Sequence, residues 1–193
     1  MNDILSPQQI NFEAKSFYQV GDYIKAAKSF EAARQGYLLV SDVIMAAEMA
    51  NNCSVSYLMA GENESALQAL EGVENVFIQA GDQKRQAMTL GNQAAALDAL
   101  GRLDEAEQVY WQAAEIFKIL GDTELRLPIM QSISSLQLRT GRHFQAVASM
   151  YAGVENIKNP SLKQRFLKRL LGIPFQMLNN QSKVLNDGTD DNS

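Results

Sequence analysis

QAAALDALGRLDEAEQVYWQAAEIF, residues 93–117, decides the fold. Beyond its central Gly101, Ala106, Val109, Tyr110, Ala113, Ile116 and Phe117 recur at spacings of three and four. That spacing predicts a helix and excludes the strict alternation of a strand. Gly101 can take the left-handed conformation that ends a helix at no steric cost. The stretch therefore predicts two antiparallel helices joined by a tight turn.

Outward from this stretch the same features return forty residues at a time. Gly21, Gly61, Gly101 and Gly141 share one position, and Ala26, Ala66, Ala106 and Ala146 follow each by five. Four further on stand the bulky Phe30, Leu70, Tyr110 and Met150, then three beyond these Ala33, Val73, Ala113 and Gly153. A second set of breaks, Ser41-Asp42, Gly81-Asp82 and Gly121-Asp122, falls halfway between the glycines. An Asp after a turn caps the next helix through its side-chain oxygen. The chain is thus cut into helices of about twenty residues, the mark of a helical repeat array. The alanines let a partner helix approach closely while the bulky residues fill the space beside them. Pro7 after Ser6 reads as a first-turn proline. Pro128 lies seven residues after Gly121, so its helix either starts late or kinks there.

These residues resemble the tetratricopeptide repeat (TPR) family. Its pattern places a bulky residue on a first helix, a turn glycine, then Ala, a bulky residue and Ala on a second. Here the first-helix bulky position is Phe17, Tyr57, Leu97 and, off-pattern, Gln137; three residues earlier stand Ala14, Ser54, Ala94 and Ser134. The family period is about thirty-four residues, so this chain looks like a longer, forty-residue variant, as in kinesin light chains. The resemblance implies an all-α, right-handed superhelical solenoid of antiparallel helix pairs with a C-terminal capping helix. The expected organisation is an N-terminal lead over 1–6, helix pairs at about 7–40, 41–80, 81–120 and 121–158, a capping helix over 159–180 and a disordered acidic tail over 181–193. Leu162, Phe166, Leu170 and Ile173 are expected to cover the open end of the last pair, because a terminal repeat otherwise leaves an apolar face in water. Lys163, Arg165, Lys168 and Arg169 would then form the solvent face of that helix, in preference to a membrane-surface or partner-binding helix.

Composition narrows the function. The net charge of −5 argues against non-specific nucleic-acid binding. No stretch approaches the ~20 apolar residues of a membrane span, and the start MNDILSPQQI lacks the basic region of a secretory signal. One cysteine permits no intrachain disulfide, which fits a reducing, cytoplasmic compartment. Cys53 and the single His143 cannot make a zinc cluster, and no calcium-loop spacing or phosphate-binding glycine loop is present. Cys53 reads as a small core residue and His143 as a turn residue without a nucleophile or acid beside it. Asp187, Asp190 and Asp191 read as a solvated run. No catalytic residue, metal site or cofactor is expected.

In the family the first helix of each pair lines the inner, concave wall. Carrying those positions across gives a candidate peptide-binding groove. Repeat one supplies Gln8, Asn11, Lys15 and Tyr18; repeat two Glu48, Asn51, Asn52, Val55 and Met59. Repeat three supplies Met88, Asn92, Ala95 and Asp98; repeat four Gln131, Ser132, Ser135 and Arg139. Asn52 and Asn92 are equivalent, and an amide can hold an extended peptide backbone because it donates and accepts. The alternative for each is a local bond to a neighbouring helix. With only Lys15 and Arg139 basic, a clamp for a terminal carboxylate is not expected. The chain is thus expected to be a non-catalytic adaptor for another protein or peptide, binding no nucleic acid. The alternatives are a self-associating scaffold or an effector-sensing regulator.

Overall fold

The computed structural model describes residues 5–155, 157 and 160–171. Residues 1–4, the second half of the expected capping helix with Ile173, and the tail 181–193 lie outside the described residues. All regular structure among the described residues is helical. The order is α1 Pro7–Gln19, α2 Tyr23–Leu39, α3 Val43–Ala60, α4 Asn63–Ala69, α5 Val73–Gln79, α6 Gln83–Ala99, α7 Leu103–Ile119, α8 Thr123–Arg139 and α9 His143–Val154. A further helix, α10, spans 162–171. The chain divides into two compact units, Met1–Gly121 and Asp122–Ser193. Within the first, α1 packs on α2, α2 on α3 and α6 on α7; within the second, α8 packs on α9.

The turns follow from backbone stereochemistry. Gly101 has φ +76°. The amide of Arg102 donates to the Leu97 carbonyl at 2.9 Å, and the Gly101 amide to the Asp98 carbonyl at 3.0 Å. This pair of bonds closes the end of a helix whose last carbonyls would otherwise lack partners. The same long bond recurs from Asp22 to Phe17, Glu62 to Tyr57 and Arg142 to Gln137. The carbonyls that receive it belong to the bulky first-helix residues of the repeat. Asp22, Asp42, Asp82 and Asp122 each accept an amide three residues on. Lys25 also bonds Asp22 through its ammonium group, which holds the Asp22 carboxyl below its usual range. Glu62, Arg102 and Arg142 head their helices without a side-chain cap bond. At α1, Ser6 and Gln9 bond each other's backbone amides, with Pro7 at the first helical position.

Ser41 breaks the glycine rule. It sits at φ 60° where Gly81 and Gly121 stand in the later repeats. A left-handed L-residue is strained by about 1–2 kcal/mol. Ser41→Gly should therefore raise stability by roughly 0.5–1 kcal/mol, after the extra backbone entropy of glycine is subtracted. Urea unfolding followed by circular dichroism reads this directly. A midpoint at or below that of the unaltered chain would show that the turn carries no strain.

The core is built by the repeat positions. Ala26, Ala66, Ala106 and Ala146 are buried, as are Phe30, Leu70 and Tyr110, while Met150 is half-buried. Ala14, Ser54, Ala94 and Ser134 are buried on the first helices. Gln137, the off-pattern residue, is buried too, and the Ser149 hydroxyl donates to its Oε1 at 2.8 Å. Ser134 donates to the Ala146 carbonyl at 2.8 Å. Gln137 and Ser134 are thus hydrogen-bonded in the core, whereas Ser54 Oγ, at the repeat position of Ser134, is buried without a partner.

Three features depart from the simple repeat. First, the second helix of repeat two is broken. Leu70 caps α4, Gly72 takes φ 75°, and α5 begins at Val73. Two seven-residue helices replace the seventeen-residue α2 and α7. Second, α8 starts at Thr123, so Pro128 lies in its second turn and not at a late start. Its missing N–H leaves the Glu124 carbonyl without its intrahelical donor. Third, the expected packing of α10 is reversed. Leu162, Phe166 and Leu170 are 83%, 70% and 51% exposed. The half-buried side carries Gln164, Leu167, Lys168 and Leu171, and the Lys168 ammonium donates to the Glu155 carbonyl. A lysine stem can lie along a surface while its head finds an acceptor, so Lys168 lies on the half-buried side with Leu167 and Leu171, and the apolar stripe faces water beside the exposed Lys163, Arg165 and Arg169.

Candidate binding surface

Nine of the expected groove residues lie on α1 and α3, within the first unit. The α1 residues Lys15 and Tyr18 and the α3 residues Asn52 and Val55 come together around a cavity of about 320 Å³. Gln19 and Phe30 complete its lining. Tyr18 is held edge-on by Tyr23, with ring centroids 5.3 Å apart. Phe30 is buried in the cluster formed by α1, α2 and α3 and also lines this cavity. The cavity offers a cation at Lys15, an amide at Asn52 and apolar walls from Val55 and the rings. That mixture, apolar lining with few polar groups, is what a site for a side chain and its adjoining backbone needs.

The remaining α3 and α6 residues form a different arrangement. The Asn92 amide donates to Asn51 Oδ1 at 3.3 Å, and the Asn51 amide donates to Thr89 Oγ1 at 2.9 Å. Thr89 in turn donates to the Arg85 carbonyl. Equivalent in sequence, Asn52 and Asn92 therefore differ in place: Asn52 borders the cavity, whereas Asn92 ties α6 to α3. Glu48 pairs with Arg85 at 3.5 Å. Both ends of that pair are well exposed, and such a pair adds little stability. Met59 and Met88 are exposed, Asp98 and Ala95 are half-buried, and none of the four lines the cavity. Asn11 is half-buried, and its buried Oδ1 has no hydrogen-bond partner. Gln8 is exposed. In the second unit Gln131, Ser135 and Arg139 are exposed on α8, and Ser132 is half-buried.

Sequence reasoning missed Gln19 and Phe30 as lining residues. Phe30 carried a signal only for the core, because its spacing from Ala26 matches the buried stripe. Two more cavities, of about 380 and 440 Å³, flank the α4–α5 break, and Glu71 borders both. Where the helix is interrupted the neighbouring surfaces are left less filled.

Cys53 borders the larger of these, yet its thiol is buried and donates to the Ala27 carbonyl at 3.3 Å. Burial pushes its pKa up to about 12, with the Glu31 charge adding and Arg34 opposing. At neutral pH it stays a protonated thiol, the unreactive form. Burial likewise raises the Tyr57 phenol. His143 is exposed at the first position of α9. Among the described residues no helix is long and apolar enough to cross a membrane.

No protein-family model matches the chain. No curated protein matches it at a significant level. Solved structures do. The chain is similar to crystal structures of nearly identical TPR-like repeats assigned to a kinesin light chain of Podosopora anserina. One is 16% identical with a TM-score of 0.69, covering 98% of this chain and 100% of that one. A variant of the same repeats, with one glutamine replaced by methionine, is also 16% identical, with a TM-score of 0.69 over 95% of this chain and 94% of the other. At that identity the likeness speaks for the path of the backbone. Taken with the recurring Gly-turn helix pairs, it shows that the chain has a TPR-like helical-repeat fold.

Proposed function

We propose that this chain is a non-catalytic interaction module that holds an extended peptide segment of another protein against α1 and α3. The observation that carries this reading is the cavity where Lys15, Tyr18, Asn52 and Val55 meet. Four residues chosen by repeat position, from two different repeats, border one concave space. An apolar side chain of the peptide enters between Tyr18, Phe30 and Val55. The Asn52 amide then holds the adjoining main chain, since it can donate and accept at once. Asn92, through its bond to Asn51, keeps α3 and α6 in register. The helical-repeat fold supports an interaction role, because such arrays present extended surfaces to partners. A single buried, protonated cysteine suits a reducing, cytoplasmic setting.

Selection of peptides from a random display library on the unaltered chain, followed by titration calorimetry, tests this. Val55→Arg, which fills the cavity, should abolish binding of the selected peptides. Asn52→Ala should weaken them by about 1 kcal/mol, roughly fivefold. Gln112→Ala, at an exposed α7 position, should do nothing. Peptides that bind Val55→Arg as well as the unaltered chain would sink the cavity as the site.

A further inference from the structure

The outward face of α10 is the part of the molecule that the repeat architecture does not explain. At about 100° per residue, Phe166 stands at the centre of the exposed arc, with Leu162 and Leu170 about 40° to either side. Arg169 and Lys163 follow about 60° from Phe166 on opposite sides, by the same geometry, and Arg165 lies beyond Arg169. All six are exposed. No acidic residue occurs anywhere in 160–171, although the chain as a whole carries −5.

We propose that α10 lies on an anionic lipid surface, with Phe166 deepest. An apolar ridge flanked on both sides by cations matches a plane that is negative at its surface and apolar just beneath it. A helix in that setting sinks its apolar face about 5–10 Å while its cations stay at the phosphate level. The symmetry about Phe166 brings ridge and cations onto the plane together. The fourth cation, Lys168, is occupied elsewhere by the Glu155 carbonyl. This is surface attachment of one short helix and involves no spanning segment.

Flotation of the full chain with vesicles tests the proposal. Vesicles of phosphatidylcholine and phosphatidylserine in equal parts should carry the chain, and vesicles of phosphatidylcholine alone should not. Raising the salt concentration should release it, because the attraction is screened. Each flanking cation near an anionic surface is worth about 1 kcal/mol, or fivefold. Combining Lys163→Gln, Arg165→Gln and Arg169→Gln should therefore lower partitioning about a hundredfold. Phe166→Ser should lower it at least tenfold, with an unchanged melting temperature, since the ring is in water in the free protein. Failure to float with either vesicle overturns the proposal. So does undiminished flotation of Phe166→Ser. If Phe166→Ser instead lowers the melting temperature, the chain's own residues cover the ridge. If it instead abolishes a dimer seen by light scattering while flotation is absent, a second copy is the occupant. Either result refutes the lipid assignment.

Discussion

Phe77→Ala should cost the first unit about 3–5 kcal/mol, the range for removing a buried aromatic ring. Phe77 is fully buried on α5. It packs with Ala47, Ala50 and Val73, with Ile44 and Val76 against the cluster and the Arg85 guanidinium 6.0 Å from its ring centre. Two effects add. The ring leaves a cavity among small alanines that cannot close over it. In addition, α5 is seven residues long, far below the ~12–15 at which an isolated helix begins to hold in water. It exists because its apolar side is packed, and Phe77 is the largest part of that side. Urea unfolding by circular dichroism measures the loss, and hydrogen exchange over residues 73–79 separates opening of α5 from global unfolding. Ile78→Ala, on the half-exposed side of the same helix, is the control and should change stability by less than about 0.5 kcal/mol. A Phe77→Ala loss as small as that of Ile78→Ala would mean that α5 is not held by its ring.

Gly153→Val should be almost as damaging, at about 3 kcal/mol. A Cβ at Gly153 would stand 2.8 Å from the Met130 Cβ and 3.3 Å from a Leu127 methyl. Met130 is fully buried on α8, and its Cβ is fixed to the backbone, so it cannot swing aside. The helices α8 and α9 must then part. Against this stands the gain in helix propensity on removing a glycine, at most about 1 kcal/mol for alanine and less for valine. Steric overlap wins, more heavily for Val than for Ala. The measurement is the thermal midpoint of Gly153→Ala and Gly153→Val against the unaltered chain. Stabilisation by alanine would show that α9 has room to move away from α8.

Both predictions concern positions that the repeat made visible without explaining. Gly153 occupies the place of Ala33 and Ala113, and the sequence marks it only as another small residue. The tighter demand comes from Met130 on a different helix. Gln137 looked like a weakness in the fourth repeat, yet the Ser149 hydroxyl twelve residues on satisfies it in the core. Asn52 and Asn92 looked equivalent, yet Asn51 captures Asn92. Gly72 was legible as a glycine, but its repeat equivalents Ala32 and Gln112 do not break their helices. That it would end one required its left-handed φ.

What this sequence determined by itself is the local grammar: where helices stop, where they start, and which positions are small or bulky. Gly101 and its equivalents end helices because only glycine reaches their backbone angles without strain, and Asp42, Asp82 and Asp122 start the next ones because a short carboxylate reaches an amide three residues on. Those are interactions within a few residues, so the order of residues carries them, the break at Gly72 excepted. Tertiary structure alone decided which faces are covered. The stripe Leu162, Phe166 and Leu170 is apolar whichever way α10 turns, and the sequence reading placed it inward. Which way it turns depends on what the opposite face meets, and there the Lys168 ammonium finds the Glu155 carbonyl. The cavity at Asn52 likewise requires α1, α2 and α3 side by side, because a concave surface belongs to the space between helices and to no one of them.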